Sequence, residues 1–252
     1  MQRPLQLNKS LKMPEPIVTI IRHHANEVEM TDTAIRFFDR NGIRYRYSHH
    51  YAGDKLDTAS GVTPTIVLGG SQNVTELEQF PYLSDELKWI ECCLQQDLPI
   101  VGICLGAQLM AHALGAKVSA REPRECEFGF YEVTPTADAV NWLNAPQYFM
   151  QAHLQEFELP DRAVRLAGSE SFPQQAFRYG KNAFALQFHP EVDQIILDNW
   201  HADSWSDVMV KAPGAQSFEL QQQLAATHLP LQVQWFNKFL ESLFTPETVG
   251  RQ

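Results

Sequence analysis

Short apolar runs, each followed by a stretch in which apolar residues recur every three or four positions, fill the first half of the chain. Ile17-Val18-Thr19-Ile20-Ile21 is a nearly unbroken β-branched run of the kind found in strands buried on both faces. Thr31 to Arg40 has helical spacing and stops at Asn41-Gly42. Ile43 to Tyr47 alternates and predicts a second strand. Thr65-Ile66-Val67-Leu68 predicts a third, closed by Gly69-Gly70. Asp85 to Gln96 reads as a helix capped by Ser84, and Ile100 to Ile103 as a fourth strand. Strand and helix in alternation predict a parallel sheet with right-handed crossovers and helices on both faces. In such sheets ligands lie beyond the carboxyl ends of the strands.

Farther on the pattern changes. Val118 to Val133 predicts an antiparallel excursion, and Phe177 to Phe188 a return to the sheet. His201 to Gln216 reads as a loop-rich insertion. Leu220 to Phe244 has helical spacing in two parts, broken at Pro230. Trp235, Phe236, Phe239, Leu240 and Leu243 form an apolar stripe there, read as core packing. Residues 1–16 are polar and read as a flexible leader, leaving 17–252 as a single domain.

Composition narrows the function classes. A formal net charge of −10 argues against a nucleic-acid or anionic-membrane surface. No run approaches the roughly 20 apolar residues of a membrane helix, and residues 1–16 lack the apolar segment of a signal peptide. Cys92, Cys93, Cys104 and Cys126 show neither a C-x-x-C pair nor disulfide-framework spacing. The expected home is a reducing one, the cytoplasm.

Two stretches carry chemistry. In Gly102-Ile103-Cys104-Leu105-Gly106 an apolar strand turns into a helix, with glycine two residues either side of a cysteine. This is the nucleophile-elbow pattern, which exposes the reactive side chain at the sheet edge and at a helix N-terminus that favours thiolate. The alternative is a buried structural cysteine. Ala185 to Val192 reads as a strand running into His189-Pro190-Glu191. Residues i and i+2 of an extended segment share a side, so His189 and Glu191 project together as a base and the carboxylate that orients it. Cysteine attack on an amide carbonyl creates an oxyanion, for which the Leu105 N–H and the Gly69-Gly70 turn are candidate donors.

Val67 to Gly70, Pro99 to Val118, Glu127 to Phe130 and Gln187 to Val192 together resemble the class I glutamine amidotransferases. The likeness is greatest to stand-alone proteins similar to the amidotransferase half of GMP synthase. The resemblance implies an α/β, flavodoxin-like three-layer sandwich with a mostly parallel central sheet and a small antiparallel excursion. It implies a Cys104–His189–Glu191 triad and Gly70 as the oxyanion-hole glycine. Gln108 would contact the substrate, and the backbone of Gly129 and Phe130 would hold its amino-acid end. The sequence departs from the family twice: Ser71 stands where proline follows the glycines, and Gln155 where an acidic residue follows His153. His153 is read as structural. His23-His24 and His49-His50 lack a third ligand at metal spacing, so no metal and no cofactor are expected.

The implied substrate is glutamine, yielding ammonia and glutamate. The sequence has no phosphate loop, so either a separate synthase subunit would accept the ammonia or the protein would act alone as a hydrolase. Two alternatives are a γ-glutamyl peptide or amine hydrolase acting alone and a silent binding relative. A fold-related peptidase and deglycase group also carries an elbow cysteine, but Gln187-Phe188-His189-Pro190-Glu191 points away from it.

Overall fold

A computed structural model describes residues 17–23, 32–121 and 125–244; the expected leader, Thr31 and His24 lie outside them. The first half alternates as β1 (Val18–Ile21), α1 (Thr33–Asn41), β2 (Tyr45–Ser48), β3 (Thr65–Val67), α2 (Tyr82–Gln95), β4 (Ile100–Ile103) and α3 (Leu105–Ala113). Seven further strands follow: β5 (Val118–Ala120), β6 (Glu127–Pro135), β7 (Gln147–His153), β8 (Gln155–Phe157), β9 (Val164–Gly168), β10 (Ala176–Tyr179) and β11 (Ala183–Leu186). After them come α4 (Gln194–Ala202), α5 (Ser204–Met209) and α6 (Phe218–Leu243).

Nine strands form one sheet in the order β2-β1-β3-β4-β11-β10-β9-β6-β7. The block β2-β1-β3-β4-β11 is parallel, as its apolar runs predict, and β10, β9, β6 and β7 continue it antiparallel. The excursion thus widens the main sheet, and only β5 and β8 form a separate ribbon among the described residues. Register fixes the working edge: Gly102 of β4 lies opposite Val67 of β3 and Ala185 of β11, so these strands end side by side.

Helices cover both faces. Phe38, Phe149, Phe188, Phe236 and Phe239 pack α1 and α6 on one face. Leu83, Trp89, Ile90, Leu109 and Met110 pack α2 and α3 on the other. No helix of the described residues is long and apolar enough to cross a membrane.

Several expected boundaries move. Helix α1 is capped by the Asp32 side chain, which accepts from the Ile35 N–H, and it ends at left-handed Gly42. Helix α2 starts at Tyr82, and Ser84 is not its cap: its N–H bonds back to the Pro81 carbonyl within the first turn. Burial of Leu83 drives the earlier start. The expected insertion at 201–216 holds the end of α4 and all of α5. Helix α6 runs unbroken through Pro230. A proline inside a helix costs about 3 kcal/mol. Ala225 and Leu229 before it and Phe236, Phe239, Leu240 and Leu243 after it are buried, at roughly 1.5–3 kcal/mol for each large side chain, so burial wins.

Candidate active site

Cys104 stands between β4 and α3 with φ 51° and ψ −105°, a backbone conformation that a non-glycine residue holds only under constraint. The constraint is visible. Its N–H donates to the Leu186 carbonyl (2.8 Å), and its carbonyl accepts from the Gln108 N–H (3.0 Å). The flanking glycines are required by space: a side chain on Gly106 would strike the Val67 carbonyl, and one on Gly102 the Gly106 carbonyl. Cys104 is 6% exposed, with the Ala152 carbonyl of β7 at 3.8 Å from its sulfur.

The His189-Pro190-Glu191 turn leaves β11 at the same edge. His189 Nδ1 lies 2.8 Å from Glu191 Oε1. The strand expected to run on to these residues stops at Leu186; 189–192 form a turn, the Val192 N–H reaching back to the His189 carbonyl (3.4 Å), and this turn, not an extended segment, brings the pair together. His189 Nε2 is buried and has no hydrogen-bond partner among the described residues. It is therefore the nitrogen left for a proton from a nucleophile. Gly69 supplies the measure of how close the pair lies. A methyl on it would sit 2.9 Å from His189 Cε1 and 3.5 Å from Cys104 Cβ, so imidazole and thiol flank one point. Burial opposes a charged imidazole there, but the Glu191 carboxylate and the Cys104 sulfur outweigh it and raise the His189 pKa to about 10.

Residues that local sequence did not flag hold this turn. Gln232, fully buried in α6, accepts from the Met150 N–H (2.8 Å) and donates to the carbonyls of His189 (3.1 Å) and Val192 (2.9 Å). The Trp200 ring stands edge-on to His189, centroids 5.0 Å apart. The Thr33 N–H donates to the Glu191 carbonyl. The one available signal was a glutamine at a stripe position of α6, four residues before Phe236.

The remaining sequence candidates divide. Gly70 lies against Leu105, and among the described residues neither N–H makes a hydrogen bond. Gln108 is buried on α3, its amide 3.3 Å from the Gln187 side-chain oxygen. Gly129 takes φ 133° on β6, one register step from the Phe128–Ala152 pair beside the thiol. The backbone of Phe130 is engaged within the fold, its N–H and carbonyl both bonded to the Gln216 side chain. His153 is structural: it binds Glu127 (3.1 Å) and the Gln155 carbonyl (3.0 Å), within a network extending to Ser169, Gln175 and Gln151. The Gln155 amide reaches Asn73 Oδ1 (2.9 Å), in the loop that follows Gly69-Gly70. His23 and His50 converge on the buried carboxylate of Glu86.

Comparison with known proteins bears on the same segments. The family model of the glutamine amidotransferase class-I domain matches residues 29–198. The glutamine amidotransferase-like protein YfeJ of Salmonella typhimurium is 30% identical over 172 residues, covering 65% of this chain and 71% of that one. The A subunit of the glutamine-hydrolysing GMP synthase of Methanococcus vannielii is 33% identical over 160 residues, covering 56% and 83%. A glutamine amidotransferase of Thermotoga maritima superposes with a TM-score of 0.81 at 29% identity, covering 91% of this chain and 98% of that one.

Proposed function

The chain belongs to the class I glutamine amidotransferase family, and from that premise we propose that it hydrolyses the side-chain amide of glutamine. Cys104 attacks the γ-carbonyl carbon as thiolate. The C–N bond then breaks, His189 gives its proton to the departing nitrogen, and ammonia leaves a γ-glutamyl thioester on Cys104. Water, deprotonated by His189, attacks the thioester, releasing glutamate and the free cysteine. Glu191 keeps the imidazole with Nε2 toward the sulfur and steadies its charged form. The N–H groups of Gly70 and Leu105 are the proposed donors to the oxyanion.

The observation that carries this reading is the shared approach of His189 and Cys104 to Gly69, with Glu191 on the far nitrogen. The raised His189 pKa supports it, because a protonated imidazole at neutral pH is the partner a thiolate needs. The relative named as the A subunit of a GMP synthase supports a separate chain as ammonia acceptor. The chemistry itself would serve γ-glutamyl peptides and γ-glutamyl amines equally, since all three present the same acyl group.

The test is a panel of glutamine, a γ-glutamyl peptide and a γ-glutamyl amine, with Cys104→Ala as control. Turnover of one or more by the wild type, absent in Cys104→Ala, is the expected result. Residual turnover in Cys104→Ala would overturn the nucleophile. A wild type that turns over none, with Cys104 unreactive toward a glutamine-mimicking electrophile, would leave a silent binding module.

A further inference from the structure

The Gly69-Gly70 turn has a second histidine behind it. His23, just past the end of β1, places Nδ1 3.0 Å from the Gly69 carbonyl oxygen. Its Nε2 lies 2.8 Å from Glu86 Oε2, on α2. Both side chains are closed to solvent. A carbonyl oxygen only accepts, so Nδ1 carries a proton and donates it. Glu86 is ionised: burial pushes its carboxyl up, but His23 and His50 hold it below the usual range. With one ring nitrogen on the Gly69 carbonyl and the other on Glu86 Oε2, both ends of the ring are tied and its plane is fixed.

The geometry points to a positioning role: His23, backed by Glu86, clamps the Gly69 carbonyl so that the Gly70 N–H faces the reacting carbonyl. The inference rests on the hydrolytic reading and concerns how its oxyanion donor is held. A trans peptide is planar, with its C=O and N–H on opposite sides. Tying the Gly69 oxygen to His23 sends the Gly70 N–H away from His23. The catalytic pair lies against Gly69, and Leu105 Cδ2 would be 2.8 Å from a methyl on Gly70, so the reacting groups and the second donor both border this peptide. The same imaginary methyl would be 2.8 Å from His23 Cβ, so the turn is pressed between histidine and elbow.

The turn needs such a clamp. Two consecutive glycines have the largest choice of backbone conformations, and a peptide flip would turn a donor into an acceptor that repels the oxyanion. Ser71 follows them, so no proline ring restrains the exit. The downstream end is tied separately. The Asn73 N–H donates to Glu76 Oε2 (3.0 Å), and Asn73 Oδ1 accepts from Gln155 (2.9 Å). Neither tie sets the Gly69–Gly70 peptide itself; His23 does.

The experiment compares His23→Leu with His23→Asn, both in a Glu86→Gln background so that no carboxylate is left buried without its partner. Asparagine's N–H takes the place of Nδ1–H; leucine has no donor. Two rates are read: steady-state turnover of the γ-glutamyl substrate, and alkylation of Cys104 by iodoacetamide, followed at its own peptide by mass spectrometry. Alkylation displaces iodide at a tetrahedral carbon and forms no oxyanion. Losing an oxyanion donor outright costs on the order of 10²–10³ in kcat. A loosened donor is expected to cost about tenfold to a hundredfold in kcat for His23→Leu, with KM and alkylation rate little changed. His23→Asn is expected to restore most of the loss. Wild-type kcat in His23→Leu would overturn the clamp, as would parallel loss of alkylation and turnover, which marks a merely structural residue. Should His23→Leu not fold, His23→Gln is measured in its place and judged by the same outcomes, its amide being one carbon too distant for the Gly69 oxygen. A wild type inactive on every γ-glutamyl substrate overturns the hydrolytic reading, and the clamp with it; an active wild type with an indifferent His23→Leu overturns the clamp alone.

Discussion

Gly69→Ala is expected to perturb catalysis without replacing a reacting group. The added methyl would lie 2.9 Å from His189 Cε1, 3.5 Å from Cys104 Cβ and 3.7 Å from His189 Nδ1. Gly69 does not use a left-handed backbone, so the methyl and not φ strain is the perturbation. Carbon atoms rest at about 3.5–4.0 Å, so the ring must retreat by roughly 0.6–1 Å. It has little room. Nδ1 is held by Glu191 at 2.8 Å, the ring stands against Trp200, and its backbone is bonded to Met150 and Gln232. Overpacking of this kind costs about 1–3 kcal/mol, or about 2–4 °C of Tm per kcal/mol for a chain of this size. A displacement near 1 Å can cost on the order of a hundredfold in rate. The expected result is a folded variant, a few degrees less stable, with kcat for glutamate release down about a hundredfold and KM little changed. Steady-state kinetics and thermal unfolding by circular dichroism measure both. Wild-type kcat together with wild-type Tm would refute the reasoning, because His189 would then not lie against Gly69.

Three other perturbations test separate links. Cys104 holds φ 51°, at a cost of about 1–3 kcal/mol, so Cys104→Gly should melt a few degrees above Cys104→Ala, both without turnover; equal Tm would show no stored strain at the elbow. Gln232→Leu removes bonds to Met150, His189 and Val192; the His189 carbonyl keeps the Val192 N–H, but the Met150 N–H and the Val192 carbonyl are left unpaired at about 1–3 kcal/mol each. It should lower stability by about 2 kcal/mol or more and reduce kcat in the surviving fold; a neutral denaturant midpoint would count against that bracing role. His189 binds its proton more tightly folded (pKa about 10) than unfolded (about 6.5), so its contribution is full below about pH 6.5 and is lost as pH rises towards 10. Denaturant midpoints of wild type should therefore fall more between about pH 6.5 and about pH 9.5 than those of His189→Gln, and parallel curves would refute the raised pKa.

What sequence determined is local. The runs at β1, β3 and β4 show as strands because both faces are buried, so nearly every residue is apolar whichever way it points. The elbow shows because a tight strand-to-helix turn admits only glycine at 102 and 106. The His189–Glu191 pair shows from its spacing of two, although a turn at Pro190 and not an extended chain brings the two side chains together. Tertiary structure decided whatever depends on partners distant along the chain. Gln232 and His189 are 43 residues apart, and His23 and Glu86 are 63 apart, so neither pairing leaves a local pattern. Pro230 reads as a break because propensity is local, yet apolar burial on both sides of it carries α6 through. The antiparallel strands are legible as strands, but that they extend the main sheet follows from which edge β11 leaves open for β10. Periodicity reports which way a side chain faces; what it meets there is fixed only when distant segments pack together.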